Sequence, residues 1–223
     1  MRSATRVVQS NCISKRCRRE FKMDAMQKES RRTRHIVLAG GCFWGLQALI
    51  DSFRGICSTF VGYANAQEKT SPGSVEGQTV PFLKAADIPT CGLSYQAVCS
   101  GTTDAAEAVA VEYDEQVIKL DDILSIFFAA IDPTSKNYQG NDVGTQYRSG
   151  IYCLPCERED IRVIEKKMQE VQLSYKKPIV TEVAELRNYS VAEENHQKYL
   201  ANRPGGYCHI DVSATRERFA HLL

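Results

Sequence analysis

The 223-residue sequence contains no apolar run near the ~20 residues that a membrane-spanning helix needs, so we predict no transmembrane segment. It also lacks the apolar core of a secretory signal peptide, which argues against a secreted disulfide framework despite nine cysteines. There is no P-loop, dinucleotide-binding fingerprint or Ser-His-Asp order, and the four histidines lack metal-ligand spacing. These absences exclude several common enzyme classes and predict that most of the cysteines are free thiols.

Charge is distributed unevenly along the chain. Residues 1–34 contain eleven Lys/Arg and three Asp/Glu, a balance of +8, whereas residues 35–223 contain seventeen and twenty-four, a balance of −7. We therefore expect a basic, disordered leader over 1–34 and a single catalytic domain over 35–223. The expected location is cytoplasmic, and the Arg- and Ser-rich leader leaves organellar import as an alternative. The acidic body argues against nucleic-acid binding.

The most informative feature of the sequence is the hexapeptide Gly-Gly-Cys-Phe-Trp-Gly around Cys42. It joins a strand-like run to a helix-like run, so Cys42 is predicted at or near a helix N-terminus. Unpaired N–H groups and the helix dipole favour a thiolate there. Phe43 and Trp44 can line an apolar pocket beside it, which indicates a nucleophilic thiol facing a small apolar group. A buried structural cysteine in a tight turn fits the same residues.

The order of predicted elements indicates an α+β fold, because strands and helices mix without strict alternation. The stretch 64–92 is predicted to be a long loop or insertion, and the residues from Asn202 onward form a loop-like tail. The predicted strands are Ile36–Ala39, Ile56–Tyr63, Ala108–Tyr113, Gly150–Leu154 and Ile179–Leu186. The predicted helices are Leu46–Phe53, Ile123–Ile131, Glu157–Tyr175 and Ala192–Leu200.

Several other residues could assist a thiol. Glu107 opens an apolar strand, where desolvation favours a neutral carboxyl group that can donate a proton; an exposed strand-edge glutamate is the ordinary alternative. Cys208 lies in a glycine-bearing tail and could swing to Cys42, or it could be a spare thiol. Asp142 and Tyr147 share a polar loop that could hold an oxygen or a water, or that could be only a hydrogen-bonded Ω-loop.

The pair Cys153-Leu-Pro-Cys156 allows three interpretations. It can be a dithiol redox pair, half of a zinc site, or two unrelated thiols around a proline turn. Zinc is disfavoured because Cys208 and His209 are adjacent and are not spaced like a second ligand pair.

Four sequence blocks occur in order between about His35 and Asp211, over nearly the whole body of the chain. The blocks are Gly41-Cys-Phe-Trp-Gly45; Tyr95-x-x-Val-Cys-Ser-Gly-x-Thr-x-x-Ala-Glu107; Gly140-Asn-Asp-x-Gly-Thr-Gln-Tyr-Arg-Ser149; and Asn195-His-Gln-Lys-Tyr-Leu200 followed by Gly206-Tyr-Cys-His209. Together they resemble the A-type peptide-methionine sulfoxide reductases, which act on the S epimer of methionine sulfoxide.

The resemblance implies a central mixed sheet with packed helices, related to the ferredoxin-like plan, and a reaction that needs no metal or organic cofactor. It implies that Cys42 attacks the sulfoxide sulfur and that Glu107 protonates the oxygen. Cys208 then resolves the Cys42 sulfenic acid as a disulfide, which a thioredoxin-type reductant opens. The residues implied to hold the substrate are Phe43, Trp44, Tyr95, Asp142 and Tyr147. A monomer is expected.

The sequence departs from the family pattern at a few positions. Ala105 stands where a histidine is common, Phe128 and Ile131 replace a frequent tryptophan and histidine, and Asn195 replaces a tyrosine; the 64–92 loop is longer than usual. Two alternatives therefore stay open: a catalytically weak redox-sensing or sulfoxide-binding homologue, and a dithiol oxidoreductase that uses Cys153 and Cys156. A cysteine hydrolase is disfavoured because no histidine has a recognisable base position.

Overall fold

A computed structural model describes residues 33–67 and 79–223. The leader predicted at 1–34 lies outside the described residues except for Thr33 and Arg34. The strands are β1 Thr33–Gly40, β2 Ile56–Ala64, β3 Ala106–Asp114, β4 Tyr138–Gln139, β5 Asp142–Val143, β6 Ser149–Cys153, β7 Glu182–Glu185 and β8 Tyr189–Val191. The helices are α1 Phe43–Ile50, α2 Pro81–Ala85, α3 Tyr95–Cys99, α4 Leu120–Ala130, α5 Asp160–Gln172, α6 Tyr199–Asn202 and α7 Val212–Arg218. Short 3-10 turns cover Thr145–Tyr147, Pro155–Glu157, Glu194–His196 and Ala220–Leu222.

The main sheet of the described residues has six strands in the order β7-β6-β1-β3-β2-β8. Every neighbouring pair is antiparallel except β6 and β7, which are parallel. The central four strands and two helices follow the chain order β1-α1-β2-β3-α4-β6, which is the β-α-β-β-α-β plan of ferredoxin-like domains. The predicted α+β class with a mixed central sheet is confirmed.

Alternation along β3 divides the core between the two faces of the sheet. Successive side chains of a strand point to opposite faces. Ala106, Ala108 and Ala110 pack on one face with residues of α2. Val109 and Val111 pack on the other face with α1 and α4. Glu107 precedes Val109 by two residues on the same strand, so its side chain points to the same face, which carries α1.

The structure describes residues 64–67 and 79–92 of the predicted 64–92 loop. After β2 ends at Ala64, the described part from Thr79 onward contains the short helix α2, which begins with Pro81. Phe82 and Leu83 of this helix are buried in the cluster that contains the three β3 alanines. This part of the insertion therefore covers the face of the sheet on which β3 contributes only alanines to the buried core.

The prediction of a helix over Ala192–Leu200 is wrong. Lys198 adopts a left-handed conformation with φ of 51°, which interrupts an α-helix. Its N–H donates to Oε1 of Gln47 at 2.8 Å. The segment instead contains the 3-10 turn Glu194–His196 and the first residues of the one-turn helix α6. Strand β8 and helix α3 have no counterpart among the predicted elements, and α7 lies in the predicted loop-like tail.

No helix within residues 33–67 or 79–223 is long and apolar enough to cross a membrane.

Candidate active site

Cys42 occupies the N-cap position of α1, directly after the turn that ends β1. Gly41 makes this turn with φ of +84°, a conformation that L side chains rarely adopt. A Cβ atom at Gly41 would also lie 2.6 Å from Cβ of Gln139, so no larger residue fits. The turn therefore holds the Cys42 sulfur against the first exposed N–H groups of α1, where a developing negative charge is stabilised.

Glu107 lies beneath this turn and is 2% exposed. One carboxyl oxygen, Oε2, accepts the N–H of Phe43 at 3.1 Å, which joins β3 to the start of α1. Burial raises the pKa of Glu107 to about 8, against the opposing effect of the Phe43 N–H. The group is thus a largely protonated acid at neutral pH. The alternative of an exposed strand-edge glutamate is wrong, because the alternation of β3 turns this side chain inward.

The resting Cys42 sulfur is a thiol. Cys42 is 6% exposed, and its burial, followed by the charge of Glu107, raises the pKa of the thiol well above its usual range. The Trp44 N–H acts in the opposite direction but has the smaller effect. The expectation of a resting thiolate is therefore wrong, because desolvation outweighs the helix N-terminus. Ionisation of the sulfur has to be coupled to proton transfer during the reaction.

Two tyrosines and an aspartate face the Cys42–Glu107 pair. Tyr95 begins α3, which is capped by Ser94, and Tyr147 lies in a 3-10 turn. Burial raises the pKa of Tyr147, and a hydrogen bond with Cys99 followed by burial raises that of Tyr95, so both keep an O–H to donate. The charge of Asp142 raises the pKa values of both Cys42 and Glu107. The structure thus brings these predicted residues to one site.

Phe43 and Trp44 have different positions. Phe43 is 1% exposed and packs among core aromatics, with its ring 5.9 Å from that of Tyr63. It therefore backs the pocket and does not form its open wall. Trp44 is only partly buried and stacks on Tyr199 with the ring centroids 3.8 Å apart. Trp44 is the ring that is available to contact a small apolar group of a substrate.

The orientation of Trp44 depends on a histidine that sequence reasoning did not select. The indole Nε1 donates to Nδ1 of His196 at 3.2 Å, and the two rings are stacked with their centroids 5.7 Å apart. An indole N–H only donates, so Nδ1 of His196 has to be unprotonated. Burial lowers the pKa of His196, which agrees with a neutral ring at neutral pH.

We expect acid to release the indole of Trp44. Below the lowered pKa of His196, Nδ1 gains a proton and no longer accepts from Nε1. Because Trp44 is the chain's only tryptophan, its intrinsic fluorescence should change with a midpoint below pH 6.5. In His196→Asn, whose amide oxygen can replace Nδ1, this transition should disappear, whereas His221→Asn should preserve it. A transition that survives in His196→Asn would contradict the assignment.

Cys208 is packed against the first turn of α1. A Cβ at Gly45 would lie 2.5 Å from the Cys208 sulfur, so only glycine permits this contact. The Cys208 thiol donates to the carbonyl of Ile210 at 3.1 Å and is half-buried. The predicted mobile tail is therefore docked at this point. Its sulfur sits beside the helix whose N-cap is Cys42, and Cys208 is among the groups that raise the pKa of Cys42.

Cys153 and Cys156 lie away from this site. In the pairing of β1 with β6, Ser149 lies opposite Gly40, and Cys153 follows four residues further along the strand, about 13 Å from that end. Disulfide formation needs Cα atoms within about 7 Å. Cys153 is also fully buried, whereas Cys156 is exposed. This placement argues against their resolving Cys42.

Sequence reasoning also did not select Tyr207 and His209 as site residues. The Tyr207 hydroxyl donates to Asp142 Oδ2 at 3.1 Å, and His209 contacts the end of β1. Both residues are next to Cys208 in the sequence, and this position could have indicated that they belong to the site. Among residues 33–67 and 79–223, no group of three or more His, Cys, Asp or Glu side chains could hold a metal ion.

Comparison with known proteins places this geometry in a family. A sequence model described as peptide methionine sulfoxide reductase matches residues 34–79 and 89–222. The peptide methionine sulfoxide reductase MsrA of Clostridium botulinum (strain Okra / Type B1) is 48% identical over 179 residues, which cover 80% of this chain and 99% of that protein. The MsrA of Mycoplasma pneumoniae is 45% identical over 177 residues, covering 79% and 98% respectively.

Solved structures agree with the sequence matches. Reduced Mxr1 from Saccharomyces cerevisiae superposes with a TM-score of 0.67 at 35% identity and covers 79% of this chain and 88% of its own. Methionine sulfoxide reductase A of Corynebacterium diphtheriae gives 0.61 at 31% identity, covering 79% and 77%. The predicted family resemblance is confirmed: the chain belongs to the peptide methionine sulfoxide reductase family.

Proposed function

We propose that this protein reduces the S epimer of methionine sulfoxide, free or in proteins, to methionine by thiol chemistry at Cys42. The observation that carries the proposal is the pairing of a buried helix-capping thiol with a buried, protonated Glu107. Oxide is a very poor leaving group, so the sulfoxide oxygen has to gain a proton as its bond to sulfur breaks. A positioned acid contributes roughly 10²–10⁴ in rate to such a step.

In the first step the Cys42 sulfur attacks the sulfoxide sulfur while Glu107 gives a proton to the oxygen. Tyr95, Tyr147 and Asp142 hold that oxygen or an ordered water, and Trp44 contacts the S-methyl group. The oxygen is transferred to Cys42, so methionine leaves and Cys42 becomes a sulfenic acid. The sulfoxide is reduced by two electrons, and the thiol is oxidised by the same amount.

In the second step Cys208 attacks the Cys42 sulfenic acid. An S–S bond forms, the S–O bond breaks, and the hydroxyl leaves as water with the thiol proton. An external dithiol of the thioredoxin type then opens the disulfide by exchange. The docking of Cys208 on Gly45 supports this assignment, because it places the second thiol beside the same helix.

A single-turnover experiment tests the proposal. The reduced protein is mixed with racemic methyl p-tolyl sulfoxide without reductant, and chiral chromatography follows each enantiomer. We expect loss of the S enantiomer only, with about one equivalent of sulfide per protein. Cys208→Ser should give the same first equivalent but retain a Cys42 sulfenic acid that dimedone traps. Consumption of both enantiomers, or of neither, would exclude the proposed function.

Sulfide release and insulin reduction together separate the two alternatives. A weak homologue that only binds sulfoxides would yield no sulfide; such a role is motivated by Ala105, which is buried where the family commonly has histidine. A dithiol oxidoreductase would instead reduce insulin through Cys153 and Cys156.

We further propose that the protein acts as a cytoplasmic monomer. Sedimentation of the protein tests its oligomeric state, and fractionation of cells tests its location.

A further inference from the structure

His209 lies where three segments of the site meet. Its Nε2 is 3.1 Å from the carbonyl oxygen of Gly40, at the end of β1 just before Cys42. Its Nδ1 is 3.7 Å from Asp142 Oδ2 in the β4–β5 hairpin. Its chain neighbour is Cys208, and its side chain is 4% exposed. One buried imidazole therefore connects the nucleophile, the substrate loop and the segment that carries the second thiol.

Glycines in two separate segments make room for this ring. A Cβ at Gly41 would lie 2.9 Å from His209 Cε1, and a Cβ at Gly140 would lie 3.3 Å from His209 Cβ. Both glycines have positive φ, at +84° and +58°, so their turns bend around the imidazole. Any other residue at Gly41 would displace the ring. The fit indicates a position built to hold the His209 segment in one place.

The hydrogen bond to Gly40 fixes the tautomer of His209. A carbonyl oxygen only accepts, so Nε2 carries the hydrogen and Nδ1 of the neutral ring carries a lone pair. Nδ1 is buried and has no hydrogen-bond partner within the described residues. Burial lowers the pKa of His209, with the charge of Asp142 opposing it. At neutral pH the anchor is thus the Nε2–H···O bond together with the packing against the two glycines.

The Cys208 thiol is held by contacts that disulfide formation has to change. It donates to Ile210 and packs on Gly45, three residues after Cys42. When Cys208 bonds to the Cys42 sulfur it loses its S–H, and with it the hydrogen bond to Ile210. An anchor on the adjacent residue keeps the backbone within reach of Cys42 when that bond is lost, which maintains a high effective concentration of the attacking thiol.

We propose that His209 is a positioning residue for the step in which Cys208 attacks the Cys42 sulfenic acid, with its bond to Gly40 as the anchor. The inference rests on the proposed function. His209 forms no bond to the reacting atoms: the S–S bond forms between the two cysteines, and water leaves with the Cys208 proton. Without the anchor we expect this step to slow by about ten- to a hundred-fold, as misplacement of a reacting group does.

Two variants of similar size test the anchor. His209→Leu fills the site but donates nothing, whereas His209→Gln can place an N–H near Nε2. Each reduced protein is mixed with methyl p-tolyl sulfoxide without reductant and quenched over time. Sulfide release reports the first step, and mass spectrometry after alkylation reports the Cys42–Cys208 disulfide. Dimedone measures the lifetime of the sulfenic acid.

We expect first-step rates close to that of the unmodified protein in both variants, with slow disulfide formation and a long-lived sulfenic acid only in His209→Leu. Disulfide formation at the normal rate in His209→Leu would overturn the inference, and so would equal slowing of both steps, which indicates general damage. If His209→Leu does not fold, His209→Asn, whose amide is too short to reach Gly40, replaces it, and equal rates for Asn and Gln would overturn the inference. A lack of sulfide release from the unmodified protein would instead refute the proposed function.

Discussion

Cys42→Ser should have no detectable sulfoxide reductase activity. The serine hydroxyl has the same place at the N-cap of α1, but it ionises far less readily than a thiol and cannot take the sulfoxide oxygen to form a sulfenic acid. Because both electrons that reduce the sulfoxide come from this one sulfur in the proposed reaction, no other group of the site can replace it. The measurement is sulfide release from methyl p-tolyl sulfoxide with excess dithiothreitol.

Cys156→Ser is the matched control for this variant. It makes the same change at an exposed cysteine in the 3-10 turn after β6. We expect it to keep full sulfoxide reductase activity. If Cys156→Ser lost activity while Cys42→Ser kept it, the dithiol alternative would replace the mechanism proposed for Cys42. Circular dichroism of both variants shows whether the fold is intact.

Much of the fold was predictable because its signals are local. The alternation of apolar residues in β3 and the apolar stripe of α1 follow from the periods of strands and helices. What could not be predicted depends on distant contacts. Helix α3 is a single turn fixed by the Ser94 cap, and β8 forms only by pairing with β2. The break at Lys198 depends on an acceptor, Gln47, that is remote in sequence.

In the site, too, local motifs were predictive and distant contacts were not. The sequence motifs indicated Cys42, Glu107 and Cys208, and the structure brings their segments together around α1. The ionisation state of Cys42 was mistaken because the sequence indicates a helix N-terminus but not how deeply the sulfur is buried. His196 was missed because its role depends on the orientation of the Trp44 ring. Such orientation and burial are tertiary properties, so residue type and spacing alone do not reveal them.

Glu107→Gln should lower kcat/KM by roughly 10²–10⁴, the usual loss when a general acid is removed. The amide keeps the size of the side chain and can still accept the Phe43 N–H, but it cannot transfer a proton to the sulfoxide oxygen. Glu112→Gln is the control, because it makes the same change on the same strand. Glu112 is only partly buried, and its carboxylate accepts a hydrogen bond from the Ser58 hydroxyl. We expect Glu112→Gln to retain kcat/KM within about twofold, since surface substitutions rarely perturb a remote site.

The titration of Glu107 should make kcat/KM of the unmodified protein depend on pH. The competent form of Glu107 is the protonated one, so it is present below its pKa of about 8 and is lost as pH rises through that value. In the unmodified protein kcat/KM should therefore fall above about pH 8, since this parameter reports the free enzyme. The residual activity of Glu107→Gln should lack this decline, and an unchanged profile would remove Glu107 as the acid.

The same substitution should make Cys42 more reactive at high pH. Once Glu107 is ionised, its charge raises the pKa of the Cys42 thiol, and the neutral amide removes that contribution. Above about pH 8, iodoacetamide should thus modify Cys42 faster in Glu107→Gln than in the unmodified protein, as peptide mass spectrometry can measure. Slower catalysis with faster alkylation separates the loss of a proton donor from damage to the nucleophile, because damage to the turn at Gly41 would lower catalysis without this selective gain at high pH.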